Sequence, residues 1–136
     1  MRRLPFVLLV LFSTLLLTAA AGCGGDSGDG EESATPAEAV TEIDEIRALL
    51  ATAVEQVRAG DSDAAEETVG DAYLEHFEDV EAPLGERDHE FMEELEEAIS
   101  TDLRNEIKAG KPADEIAAHV DEIDADLDRA VELLQR

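Results

Sequence analysis

Residues 112–134 read PADEIAAHVDEIDADLDRAVELL, and this stretch decides the fold class. Its larger apolar residues recur at intervals of three and four, which keeps them on one face of an α-helix. Pro112 suits the start of such a helix, where its missing N–H is not needed. The pattern therefore predicts a long amphipathic helix with a heptad-like stripe of Ile116, Val120, Ile123, Leu127, Ala130, Val131 and Leu134.

Three further helical patterns precede this one, and no segment alternates like a β-strand. In the first, Thr35 and Glu38 have the spacing of a capping box, with Pro36 between them. Short connections between four amphipathic helices favour an all-α fold, an antiparallel up-down four-helix bundle. The predicted starts of the first three helices are Thr35, Asp61 and Asp88, and their predicted ends are Gly60, Gly85 and Gly110.

The N-terminal residues have the layout of an export signal. Arg2 and Arg3 precede an apolar run over residues 4–17, and small residues follow up to Cys23. This order is typical of a secretory signal peptide, and the run is shorter than the roughly 20 residues of a spanning helix. Ala-Gly before Cys23 resembles a bacterial lipobox. We expect lipidation of Cys23, against two alternatives: a single-cleavage signal beside a stray cysteine, or an uncleaved anchor.

These features divide the chain into three parts. Residues 1–22 form the predicted lipoprotein signal peptide, residues 23–34 a flexible Gly/Ser/acidic tether, and residues 35–136 the four-helix domain. The tether has Gly, Ser and acids but almost nothing that could pack. Cys23 is the only cysteine, so an intramolecular disulfide is impossible. We expect an exported protein, lipid-anchored to the outer face of the cell membrane or envelope.

The charge balance limits the possible partners. The chain has 10 Lys+Arg against 35 Asp+Glu, a formal net charge of −25, and loss of Arg2 and Arg3 with the signal would make it −27. Such a surface repels nucleic acid and anionic lipid and attracts cations or a basic partner. The alternative is that the acidic surface serves solubility, as it does in proteins of salt-loving organisms.

A few polar residues fall on the apolar side of the helices. On a wheel of roughly 100° per residue, His76 lies inside the stripe of the second helix and Glu81 at its edge. Glu96 interrupts the apolar face of the third helix. Imidazole and carboxylates on facing helices can hold a metal ion, so His76, Glu81 and Glu96 are the predicted ligands. The alternatives are a structural contact between His76 and one carboxylate, or side chains that reach solvent.

The sequence does not contain the motifs of several common enzyme classes. The chain has no His-Glu-x-x-His motif, no cluster of cysteine ligands and no Gly-rich phosphate loop. A di-iron bundle needs two inward Glu-x-x-His pairs, and the pair Glu86 and His89 falls at a helix junction. We therefore expect no enzyme and no catalytic residue.

The stretch 71–81, DAYLEHFEDVE, is followed by Leu-Glu at 95–96 and Leu-Arg at 103–104. Together they resemble the extracytoplasmic N-terminal region of bacterial high-affinity iron permeases, over about residues 69–134. The resemblance implies an exterior module associated with iron uptake. The permease's membrane helices with Arg-Glu-x-x-Glu motifs are not in this sequence, which would make the chain a stand-alone lipoprotein. The matching positions are Tyr73, His76, Glu81, Glu96 and Arg104, and Glu78 in the same segment is a further accessory residue.

Two functions are expected from these observations. The first is a lipid-anchored helical module that captures a metal cation, iron or another divalent ion, beside a membrane permease. The alternative is an acidic envelope interaction or structural lipoprotein without a metal site.

Overall fold

The computed structural model describes residues 33–136, and all of the regular structure in this range is helical. The predicted signal peptide, Cys23 and most of the predicted tether lie outside the described residues. The prediction of an all-α fold with four helices is confirmed. Helix α1 is Pro36–Ala59; α2 joins Ser62–Asp71, a π-helical turn Ala72–Phe77 and Glu78–Gly85; α3 joins His89–Glu97, a π-helical turn Ala98–Leu103 and Arg104–Lys108; and α4 is Ala113–Leu134.

Local sequence sets the helix ends as predicted. The Glu38 N–H donates to Thr35 Oγ1 at 3.3 Å, and the Thr35 N–H donates to Glu38 Oε2 at 2.8 Å, so the capping box is complete. Gly60 directly follows α1 and Gly110 lies two residues beyond the end of α3, and they take left-handed φ values of 83° and 70°. Asp61 and Asp88 accept backbone N–H groups at the starts of α2 and α3.

The apolar faces meet in one core. Helix α1 packs against α2 and α4, and α3 packs against α2 and also touches α4. The side chain of Leu74 stands out because it is 58 % exposed while the core residues are almost fully covered. No helix within residues 33–136 is long and apolar enough to cross a membrane. The largest fully buried side chains are Phe77, Ile43, Ile46, Leu50, Leu84, Leu95, Ile99, Leu103, Ile107, Ile116, Ile123 and Leu127.

The two π-helical turns follow from the spacing of the core residues. In α2, Ala72 and Phe77 are both fully buried although they are five positions apart, and the Glu78 N–H bonds to the Tyr73 carbonyl. A π-turn closes its hydrogen bonds one residue further along, so it turns less per residue than an α-helix. It thereby absorbs one extra residue and returns the following side chains to the core. In α3 buried positions recur every four residues, at 91, 95, 99, 103 and 107. Since an α-helix has about 3.6 residues per turn, side chains at this interval would move gradually around the helix, and the π-turn offsets that rotation.

An arginine holds α1 and α4 together on the outside of the core. Arg47 Nε donates to Asp124 Oδ1 at 2.7 Å, and the same guanidinium pairs with Asp128 one turn further along α4. The arginine side chain is only 27 % exposed, so part of its stem lies on apolar surface. Because carboxylates greatly outnumber cations, this contact also offsets local repulsion between the acidic helices.

Candidate functional site

Three polar side chains form a cluster between α2 and α3, here called the Tyr73 cluster: Tyr73, Glu81 and Glu96. The Tyr73 hydroxyl donates to Glu96 Oε1 at 3.0 Å. Tyr73 belongs to the π-helical turn of α2, and its ring stacks on Phe77 with 6.2 Å between ring centroids. Since Phe77 is fully buried, the core fixes the position of the phenol.

The surroundings of Tyr73 oppose its ionisation. Burial, the hydrogen bond to Glu96 and the negative charge of Glu96 raise the pKa of Tyr73 to about 12, with smaller contributions from Glu81 and Glu78. The phenol is therefore protonated and donates its single hydrogen at neutral pH.

Glu81 is the member of the cluster whose ionised carboxylate is least well stabilised. Burial raises the pKa of its carboxyl group, and repulsion from Glu96 and Glu78 raises it further, while the nearby Tyr73 hydroxyl offsets part of this rise. Glu81 Oε1 is buried and has no hydrogen-bond partner among the described residues. A buried acceptor without a partner costs roughly 1–3 kcal/mol. A proton or a metal cation bound beside it would remove that cost.

His76 lies against α1 and not in the Tyr73 cluster. Its Nδ1 is 2.7 Å from Glu42 Oε2, and the two side chains are 22 % and 27 % exposed. Within residues 33–136 no group of three or more His, Cys, Asp or Glu side chains is arranged to hold a metal ion. The predicted convergence of His76 with Glu81 and Glu96 is thus not found.

The π-helical turn gives the physical reason for this correction. A wheel of roughly 100° per residue places His76 inside the apolar stripe and Phe77 at its edge. Because the π-turn rotates less per residue, Phe77 occupies the core and His76 moves to the flank that faces α1. The same underwinding brings Tyr73 and Glu81 to one side of α2, although an ideal helix would separate them by roughly 80°.

The two other accessory residues lie around the cluster. Glu78 is exposed on α2 and acts on Tyr73 and Glu81 through its charge. Arg104 belongs to a separate contact, in which its Nη2 donates to Glu66 Oε1 at 3.1 Å beside Lys108 Nζ at 2.8 Å from the same oxygen. The pair of cations lowers the pKa of Glu66. Arg104 therefore joins α3 to α2 and takes no part in the Tyr73 cluster.

Sequence reasoning missed one carboxylate that decides these contacts, Glu42 on α1, which partners His76. A second carboxylate, Glu106, interrupts the apolar face of α3 and lies 2.9 Å from His119 Nδ1 and 2.6 Å from Lys111 Nζ. These contacts lower the pKa of Glu106, Lys111 having the largest effect. Glu42 directly precedes the buried Ile43 and therefore lies at the edge of the apolar stripe of α1. This position could have indicated Glu42 as a candidate partner for a histidine on a neighbouring helix.

The donor set of the Tyr73 cluster determines which ligand it suits. A phenol and two carboxylates offer only oxygen, the donor that hard cations prefer, whereas soft metals select sulfur. The Glu81 oxygen without a partner is an acceptor that a bound cation could satisfy.

The chain was also compared with known proteins. No protein-family model, curated protein or solved structure matches it.

Proposed function

We propose that this protein is an exported, lipid-anchored helical module that captures a metal cation, with iron as the first candidate, beside a membrane permease. The observation that carries the proposal is the buried, unpartnered Oε1 of Glu81 in a cluster with Glu96 and Tyr73. A cation between these side chains would satisfy the free oxygen and screen the repulsion between the two carboxylates. The choice of iron rests on the resemblance of the segment 71–81 to iron permeases.

The long-range field supports capture of a cation. The formal net charge of −25 raises the concentration of positive ions near the surface and repels anions. His76 is a secondary candidate ligand in this proposal. Glu42 occupies its Nδ1, and a carboxylate on one imidazole nitrogen is the usual partner of a histidine that binds metal through the other.

We also propose the antiparallel up-down arrangement for the helices. Its support is the order of the contacts between α2 and α3: Glu66 meets Arg104, and Tyr73, further along α2, meets Glu96, earlier in α3. The connections between successive helices are two to four residues long, which suits antiparallel neighbours.

Cys23 is the proposed point of attachment to the membrane, at the end of the signal-like residues 1–22. In cells, Cys23→Ala should move the protein from the membrane fraction to the soluble exported fraction with its helical content unchanged. A mass spectrum of the purified original protein that showed Cys23 without a lipid would refute lipid anchoring at this residue.

Metal capture is tested on the lipoprotein purified in detergent. Tyr73 is the only tyrosine and the chain has no tryptophan, so tyrosine fluorescence reports on the cluster itself. We expect saturable quenching at one equivalent of Fe²⁺ under anoxic conditions, or of Fe³⁺ supplied as its nitrilotriacetate complex. Calorimetry should show an affinity about tenfold or more lower for Glu81→Gln, the scale of a disturbed metal shell.

The matched control is Glu67→Gln, which removes the same charge from an exposed position of α2. It should leave the affinity for the metal ion within about twofold of the original, because it changes only the long-range electrostatic potential and no group of the cluster. Equal weakening by both variants, or no saturable binding at all, would refute the metal site.

A metal-free interaction module is the second candidate. The pairing of His76 with one carboxylate, Glu42, favours it, because that is the structural contact such a protein would use. Absence of iron binding together with retained folding would support this alternative.

A further inference from the structure

We draw no further inference here: the strongest candidate, the open cavity of about 710 Å³ at the turn between α3 and α4 around Glu106, Lys111 and His119, is a surface cluster whose charged side chains already pair with one another, and nothing within residues 33–136 points to a ligand for it.

Discussion

The Tyr73 hydroxyl donates to Glu96 Oε1 at 3.0 Å, and this bond joins the π-helical turn of α2 to α3. The phenol rests on Phe77, so its position depends on the core and not on its own helix alone. The cluster therefore forms only in the folded domain.

Tyr73 should titrate far from the value of a free phenol. Its pKa is raised from 10.0 to about 12, so between these values the folded state keeps a proton that the unfolded state has lost. Stability should therefore fall as the pH rises through this window. Absorbance of tyrosinate near 295 nm measures the transition without ambiguity because Tyr73 is the only tyrosine. A midpoint near 10 for the native protein, equal to that in denaturant, would contradict the cluster.

Glu81→Gln should stabilise the domain at neutral pH. The pKa of Glu81 is raised above 4.5 in the folded state, so stability is lost as the pH rises from 4.5 through the folded value, and the loss is complete above it. The amide removes the repulsion from Glu96 and adds a donor, and we expect a gain of roughly 1 kcal/mol in urea unfolding. The gain should vanish below the unfolded pKa of 4.5, where both side chains are neutral. An equal gain at acid and neutral pH would assign the effect to packing.

Arg47→Ala should destabilise the domain more than Arg58→Ala. Arg47 reaches Asp124 and Asp128 on α4, whereas the one pairing of Arg58 within residues 33–136 is with Glu55 on its own helix. Because the partners of Arg47 are mostly exposed, we expect a loss of only about 1 kcal/mol, against a few tenths for Arg58. Thermal unfolding at low and at about 1 M salt should show the difference shrinking as salt screens the charges. Equal losses for both variants would show that the contact between α1 and α4 contributes no stability.

Deleting Glu75 should be tolerated, although it removes a residue from the middle of a helix. The core positions of α2 are 65, 69, 72, 77, 80 and 84, and the deletion changes the one interval of five to four. The stripe then has a regular heptad rhythm that an α-helix can satisfy without a π-turn. Circular dichroism and urea unfolding should show a folded protein of similar stability.

The matched control is deletion of Thr52, an exposed residue in α1. The stripe of α1 is already regular, so this deletion turns the buried Val54 and Ala53 away from their places. We expect a loss of several kcal/mol, the scale of core disruption. If both deletions unfold the domain, the explanation that the π-turn of α2 accommodates one extra residue is wrong.

The helix ends were readable because they depend on neighbours in sequence. Thr35 and Glu38 cap each other, and Gly60 and Gly110 supply the left-handed conformations that stop α1 and α3. The Tyr73 cluster was half readable. Glu81 at the edge of one apolar stripe and Glu96 on the apolar face of the next helix were expected in one site, but His76 was assigned to the same site by a wheel that assumes constant rotation.

The sequence by itself determined four amphipathic helices, their caps and a strongly acidic surface, because each depends on residues close along the chain or on composition. Only the tertiary structure decided that α2 and α3 contain π-turns, since these form when packing holds residues such as Phe77 in the core against the regular helical period. That local underwinding turns His76 toward Glu42 on α1 and leaves Glu81 beside Glu96 with an unpartnered oxygen. Which carboxylate meets which donor depends on helices brought together by the core, and no local pattern records it.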